Sequence, residues 1–412
     1  MSTDVHTFPI GLSLAEARSR VVAAAMAEPL SSETVAIESA LGRVLADDVT
    51  APFDVPGFDN AAMDGHAVRG DDLAPSSETR LREVGVTFAG GAQTLALGRG
   101  ECVRIMTGAP LPPGADTVVM KENVRTENGT IVVAAGTPRG ANTRAADDDY
   151  RRGDAALSAG TVLTPARLGV LAAFGRTRIA VARRPCAVLL TTGDELVPPG
   201  EALKFGRIHD SNRYSLGALL ERHGATLLRH ERLRDDRALL RDALLRASAE
   251  ADLIVSSGGV SAGEADFLPN LLTEIGRIHF WKARIKPGMP LLCANIDRAL
   301  MFGLPGNPAS GVATFLAFVR PALDAMTRRL PRKPLWARLA RRIDKTHERV
   351  EFLRARLLCD ETGTLLATPL PKQGSGQLRG VAESDVLIVL PEAEGEYPAG
   401  TVVEAVPLSD WA

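Results

Sequence analysis

Apolar positions recur at helical spacing in some stretches of the chain and at strand spacing in others, and the changes of period divide it. Residues 12–28 predict an amphipathic helix: Ser13 and Glu16 stand at capping-box spacing and Pro29 closes it. A second short helix is expected over 32–41, stopped by Gly42. The proline-rich run 51–58 suits a crossing between domains better than a sheet centre. From about 58 to 140, short apolar runs at 84–88, 101–106, 117–120 and 130–133 alternate with turn residues such as Gly90-Gly91 and Asn128-Gly129. A helix is expected again over 164–174, opened by Thr164 and Pro165, so the β-rich piece reads as an insertion within a helical segment.

Residues 183–328 alternate strand and helix. Strands are expected at 186–190, 225–228, 252–256 and 277–281, with helices after Ser211 and after Asp235 or Asp236. A short helix near 268–275, a hairpin over 290–303 and a long helix from Pro308 complete the segment. This alternation predicts right-handed βαβ units and a mostly parallel sheet. After Pro331 and Pro334 short alternating runs return, divided by Gly363, Gly374, Gly376 and Gly400, as in a small β-barrel or sandwich.

Composition narrows the classes. The chain has 412 residues, enough for two to four domains, and a net charge of −2, so it is not a nucleic-acid binder as a whole. Aromatic residues make up 4%, too few for rows of base-stacking platforms. The four cysteines form no CxxC pair and the histidines no HExxH spacing, which fits a reducing compartment. No stretch is long and apolar enough to span a membrane and no signal pattern opens the chain, so the cytoplasm is expected.

The candidate chemistry lies where strands end. Ser256-Ser257-Gly258-Gly259-Val260-Ser261-Ala262-Gly263-Glu264-Ala265-Asp266 follows one buried strand, and Thr191-Thr192-Gly193-Asp194-Glu195 follows another. Each joins hydroxyls, glycine and carboxylates, a composition that lets backbone approach an anion while acids hold a cation. At the carboxyl ends of parallel strands both loops face one crevice. Glu195, Asp210 and Asp266 are then candidates to hold Mg²⁺, which favours carboxylates with waters and substrate phosphates. Asp210 and Ser211 sit at a helix start, where Ser211 is the expected cap, and Asp194 suits a cap or turn. Gly303-Leu304-Pro305-Gly306-Asn307-Pro308 reads as a rigid loop with Asn307 as N-cap. Lys282, Arg284 and Lys286 alternate, which on a strand makes a cationic row suited to an oxyanion. In the insertion, Asp59, Asn60 and Asp64 crowd among small residues, and Thr107 stands beside a glycine turn.

Seven stretches together closely resemble the MoeA family of molybdopterin molybdenumtransferases. They are PGFDNAAMDGHAV at 56–68, RIMTGAP at 104–110, TTGDEL at 191–196, HDSN at 209–212, SSGGVSAGEADF at 256–267, KARIKPGMP at 282–290 and GLPGNPAS at 303–310. The resemblance implies an α/β multidomain protein. A discontinuous helical linker domain would take 1–50 and 142–182, an inserted β-rich domain 51–141, an α/β molybdopterin-binding domain 183–328 and a C-terminal β-barrel 329–412. It implies insertion of molybdenum from molybdate into adenylylated molybdopterin with release of AMP, with Mg²⁺ as cofactor. It also implies a homodimer whose site is shared between subunits, and no nucleic-acid or membrane partner. Carried over residue by residue, Asp64, Thr107, Glu195 and Asp266 take catalytic roles. Gly193, Ser211, Asp236, Ser257, Gly258, Gly259, Ser261, Lys282, Lys286, Pro305, Gly306 and Pro308 take substrate-binding ones. One departure is His66, where the family usually has tyrosine. Adenylyl transfer to molybdopterin and a non-catalytic cofactor-carrying scaffold are the alternative functions.

Overall fold

The computed structural model describes residues 8–91, 95–259 and 268–408. Its centre is a seven-stranded sheet in the order Ile10–Leu12, Arg277–Ala283, Leu292–Ile296, Ala299–Leu304, Leu253–Ser257, Cys186–Thr192, Thr226–Leu233. All run in one direction except Leu292–Ile296, which returns through the expected hairpin. The inner strands are continuous apolar runs because both faces are covered. Alternate residues serve opposite cores. Leu189, Val255 and Phe302 point to one side, with the helices Leu14–Ala27 and Asn212–Arg222 and the helical run 308–326. Val188, Leu190, Ile254 and Met301 point to the other, with Arg237–Glu250 and Leu268–Ile275.

Ser13 and Glu16 form the capping box expected of them, and the helix they open packs Ala17, Val21 and Ala25 into the α/β core. The segment after it departs from expectation. Residues 32–41 are not a helix but the strand Ser32–Ala36 and a single turn Ile37–Ser39. The strand pairs antiparallel with Arg178–Ala182 across the whole insertion, and Val35 and Ile37 pack onto a core of Leu45, Leu163, Leu171 and Phe174. A distant partner outweighs local propensity there.

The insertion carries a six-stranded sheet in the order Thr117–Met120, Gly65–Val68, Glu101–Ile105, Thr79–Thr87, Thr130–Val133, Val124–Glu127. At the other end of the chain, Val350–Cys359, Leu365–Pro369, Leu335–Leu339, Val402–Pro407 and Val386–Leu390 close into a five-stranded barrel. The two-residue strand Ile285–Lys286, leaving the central sheet, pairs with Val350 and Glu351 and joins the two units. Among the described residues no helix is long and apolar enough to cross a membrane.

His223, just past Asn212–Arg222, lies against Phe315 with ring centroids 5.8 Å apart. Burial, reinforced by Arg332 and Arg320, pushes its imidazole down to about 3. The folded protein then holds it neutral while the unfolded chain protonates it near pH ~6.5. Its contribution to stability is complete above that pH and is lost as pH falls toward 3. The urea midpoint should drop across this window, and His223→Gln should flatten the slope.

Candidate active site

Three adjacent parallel strands finish level with one another. Thr191 pairs with Ser257, and Ser257 with Leu304, so their loops leave the sheet side by side. Glycine lets these loops converge. Gly258 has φ +104°, its N–H donates to the Leu304 carbonyl at 3.0 Å, and a Cβ there would lie 2.6 Å from both the Thr192 carbonyl and its Oγ1. Gly306 lies on the other side of Gly258, where an added Cβ would meet the Gly258 Cα at 3.7 Å, an ordinary van der Waals contact. Gly193 has φ +153°, and the Glu195 carboxylate folds back over it. These are the backbone approaches that a strand-end ligand site requires.

Asn212 ties the crest together. Its Nδ2 donates to Ser257 Oγ at 2.8 Å and to the Gly306 carbonyl at 2.7 Å. Among the described residues its own Oδ1 is buried without a partner, as are the hydroxyls of Thr192 and Ser256. A buried polar oxygen left open at a strand-end crevice is the kind of group a ligand satisfies.

Asp210 lies beneath the crest, 2% exposed. One carboxylate oxygen accepts from Thr191 Oγ1 at 2.6 Å and the other from the Arg213 N–H at 3.0 Å. Asp210 is therefore the side-chain cap of Asn212–Arg222. Ser211, the expected cap, makes no such bond because its backbone already lies in the helical region (φ −82°, ψ −28°). His230 completes the buried group, its Nε2 2.9 Å from Thr191 Oγ1, and burial pushes its imidazole down to about 4.

Asp236 caps Arg237–Glu250, accepting from the Leu239 N–H at 2.9 Å. Asp194 lies at a turn, 3.6 Å from Arg234. Asn307 precedes Pro308 at the expected helix start, but its amide donates to Ser375 Oγ at 3.2 Å rather than capping. Pro305 leads into that turn from the strand Ala299–Leu304. Ser261, Glu264 and Asp266 lie outside the described residues. Ser257, Gly258, Gly259, Gly193, Pro305 and Gly306 thus share one crest, with Glu195 at its edge.

The cationic row is not a row. Lys282 takes a left-handed backbone (φ 63°), which breaks the alternation, and its Nζ lies over the Trp281 ring, 4.1 Å from the centroid. Arg284 pairs with Glu392 at 3.0 Å, and Lys286 with the buried Glu351 at 2.9 Å. The barrel also contributes a loop that the sequence reading passed over as a divider. Ser375 accepts the Ala309 N–H on its carbonyl at 3.0 Å, and the buried Arg354 holds the surrounding loop by donating to the carbonyls of Lys372, Gly374 and Gln377. A serine between two glycines was the available signal.

In the insertion, Asp64 and Thr107 meet. The Thr107 N–H and hydroxyl donate to Asp64 Oδ1 at 2.9 and 2.7 Å, and Lys121 stands 3.8 Å from Oδ2. These bonds hold the carboxyl below the usual aspartate range, led by the backbone donor. His66 faces Glu83, 3.0 Å away. The described partners of Asp64 all belong to its own lobe.

Known protein families match along most of the chain. The MoeA N-terminal region (domain I and II) matches residues 12–175, a probable molybdopterin binding domain 188–325, and the MoeA C-terminal region (domain IV) 336–408. The molybdopterin molybdenumtransferase of Haemophilus influenzae is 35% identical over 97% of this chain and 99% of its own length. The chain belongs to the MoeA family. The Bacillus subtilis molybdopterin molybdenumtransferase is 33% identical over 92% of each chain. Among solved structures, a molybdopterin biosynthesis MoeA protein from Pyrococcus horikoshii aligns with TM-score 0.78 at 31% identity, covering 97% of this chain and 100% of that one. As a MoeA-family chain it carries the α/β domain and terminal barrel that its sequence predicted.

Two outcomes follow from the site's geometry. Gly258→Ala should lower the free energy of unfolding by about 1–3 kcal/mol from backbone strain alone, while Gly306→Ala should stay within about 0.5 kcal/mol; urea denaturation measures both. Thr107→Val keeps the backbone donor but removes the hydroxyl, so the Asp64 carboxyl should titrate higher than in the parent yet remain below an unperturbed aspartate, as read by ¹³C NMR.

Proposed function

We propose that this chain transfers molybdenum from molybdate to adenylylated molybdopterin, releasing AMP and yielding the molybdenum cofactor. The observation that carries this reading is the crest where Thr192, Gly258 and Gly306 converge, with buried oxygens open to a ligand and Glu195 at its edge. The relatives named above supply the reaction class.

The residues divide the work by chemistry. Open hydroxyls and close glycine backbone suit a phosphate-bearing pterin. Among the described residues, Glu195 is the carboxylate at the crest that would hold Mg²⁺, together with substrate phosphates and waters, and Asp266 lies outside them. Asp210 has both oxygens engaged by the protein, and no cluster of three His, Cys, Asp or Glu is arranged for a metal among the described residues. When bound, the cation supplies Lewis-acid polarisation of the phosphoanhydride. Asp64, ionised and half-exposed, is suited to orient water for cleavage of that bond, with Thr107 fixing the carboxylate. Lys282 and Lys286 offer positive charge to molybdate, and for Lys286 this means exchanging its bond to Glu351.

Because the described partners of Asp64 lie within its own lobe, the reading places its action on the α/β site of a second subunit in a homodimer. The test is AMP release by the purified protein with adenylylated molybdopterin, Mg²⁺ and molybdate, alongside activation of a molybdenum-free apo-enzyme. Molybdate-dependent release with cofactor formed is expected, and Glu195→Gln should reduce it by roughly 100-fold or more. Mixing inactive Asp64→Asn and Glu195→Gln proteins after subunit exchange should restore about a quarter of the sites if each is shared. No recovery in proven mixed dimers would sink the shared-site reading. Tight substrate binding without turnover would favour a carrier.

A further inference from the structure

A cavity of about 590 Å³ opens away from the strand ends, and no residue of the crest lines it. Gly42 and Val162 of the linker core form one side. The end of Asn212–Arg222, the connector leading into the barrel and the last barrel strand form the others. Its wall carries Arg222, Arg320, Arg329, Arg332 and Lys333, against Glu404 on the wall and Asp324 close by.

Most of these charges already have work. Arg332 grips Asp324 through two bonds at 2.7 and 2.8 Å, and Arg329 lies 3.7 Å from the same carboxylate. Arg222 donates to the Leu408 carbonyl at 3.0 Å. Arg320 differs: it makes no hydrogen bond or ion pair among the described residues. It follows directly on the π-helical stretch Phe315–Val319, a rare irregularity that shifts the phase of the helix and recurs at functional sites. Burial, with Arg332 beside it, pushes its guanidinium down to about 10, opposed only in part by Asp324 and Glu404, so it stays charged at neutral pH. Arg320 is half-buried at the cavity wall, so its guanidinium is partly desolvated yet still reachable, and with no counter-charge in contact it is free to pair with a bound anion.

We propose that this cavity is a second ligand site, separate from the strand-end crest, that binds a small phosphate-bearing anion through Arg320 with Lys333 at its exposed rim. The planar fork of Arg320 matches phosphate oxygens, and five cationic side chains against two carboxylates leave net positive charge for a dianion. The neutral His223 imidazole stands in the same wall. Since the walls come from the linker core, the α/β unit and the barrel, a bound anion also cross-links them.

The test is calorimetric titration of the full chain with inorganic pyrophosphate, and with AMP to separate a free phosphate from a nucleotide source. Saturable pyrophosphate binding is expected at low salt, weakening as NaCl is raised. Arg320→Met should weaken it by at least about tenfold, while Lys286→Met, in the molybdate-binding part of the proposed active site, leaves it unchanged. If Arg320→Met fails to fold, Lys333→Met at the exposed rim should weaken binding several-fold. AMP binding with the same response to Arg320→Met would make the ligand a nucleotide; AMP binding lost only in Lys286→Met assigns AMP to the proposed active site and leaves this cavity to free phosphates. The proposal is overturned by absence of saturable pyrophosphate binding, by equal binding in the two cavity variants and the parent, or by loss confined to Lys286→Met.

Discussion

Backbone against backbone, with no side chain between, is the contact on which the site rests. Gly258 lies so near Thr192 that any Cβ would enter the Thr192 carbonyl. That approach depends on three strands ending level, which in turn depends on two apolar cores pressing the sheet from both faces. Asn212 then fixes the neighbouring helix to two of the loops with one amide. The chain of cause runs from alternating Val, Leu and Ile on the strands to a crest of glycines and hydroxyls. The polar groups there do not build the fold; the fold holds them where solvent is scarce and their hydrogen bonds are strong.

A second theme is how charge is rationed. Asp210 looks like a metal ligand in the sequence, yet each of its oxygens accepts a protein hydrogen bond, from a hydroxyl and from a helix N–H, beside a histidine kept neutral. Lys286 looks like a free cation, yet a buried glutamate of the barrel holds it. Asp64, by contrast, keeps carboxylate surface open while the Thr107 N–H and hydroxyl set its position, and the Glu195 carboxylate is exposed. The site is selective about which charges face a ligand.

Sequence showed local features whose cause is local. The Ser13–Glu16 box, the hairpin before Ala299–Leu304 and the buried strand runs are each specified by residues a few positions apart. It failed where the cause is remote. Ser32–Ala36 reads as helix until Arg178–Ala182 is known to lie beside it. Ser211 and Asp210 are both sound caps by residue type, and only the backbone angle at Ser211 decides between them. The cationic alternation failed because one residue, Lys282, leaves strand geometry. Ser375, between two glycines, reads as a turn, and only its bonds to the remote Asn307 and Ala309 show that a barrel loop reaches the Pro308 helix start.

The remote pairing of Ser32–Ala36 has a consequence for biosynthesis. During translation this segment emerges long before Arg178–Ala182, and Ile10–Leu12 waits longer still for Arg277–Ala283. At ordinary elongation rates the first wait lasts roughly ten to thirty seconds. For that interval the nascent chain carries segments whose partners have not yet been made, while the inserted sheet has all its strands within one continuous stretch and is free to fold first. The inserted sheet can therefore be complete while the amino-terminal strands that precede it still await their partners.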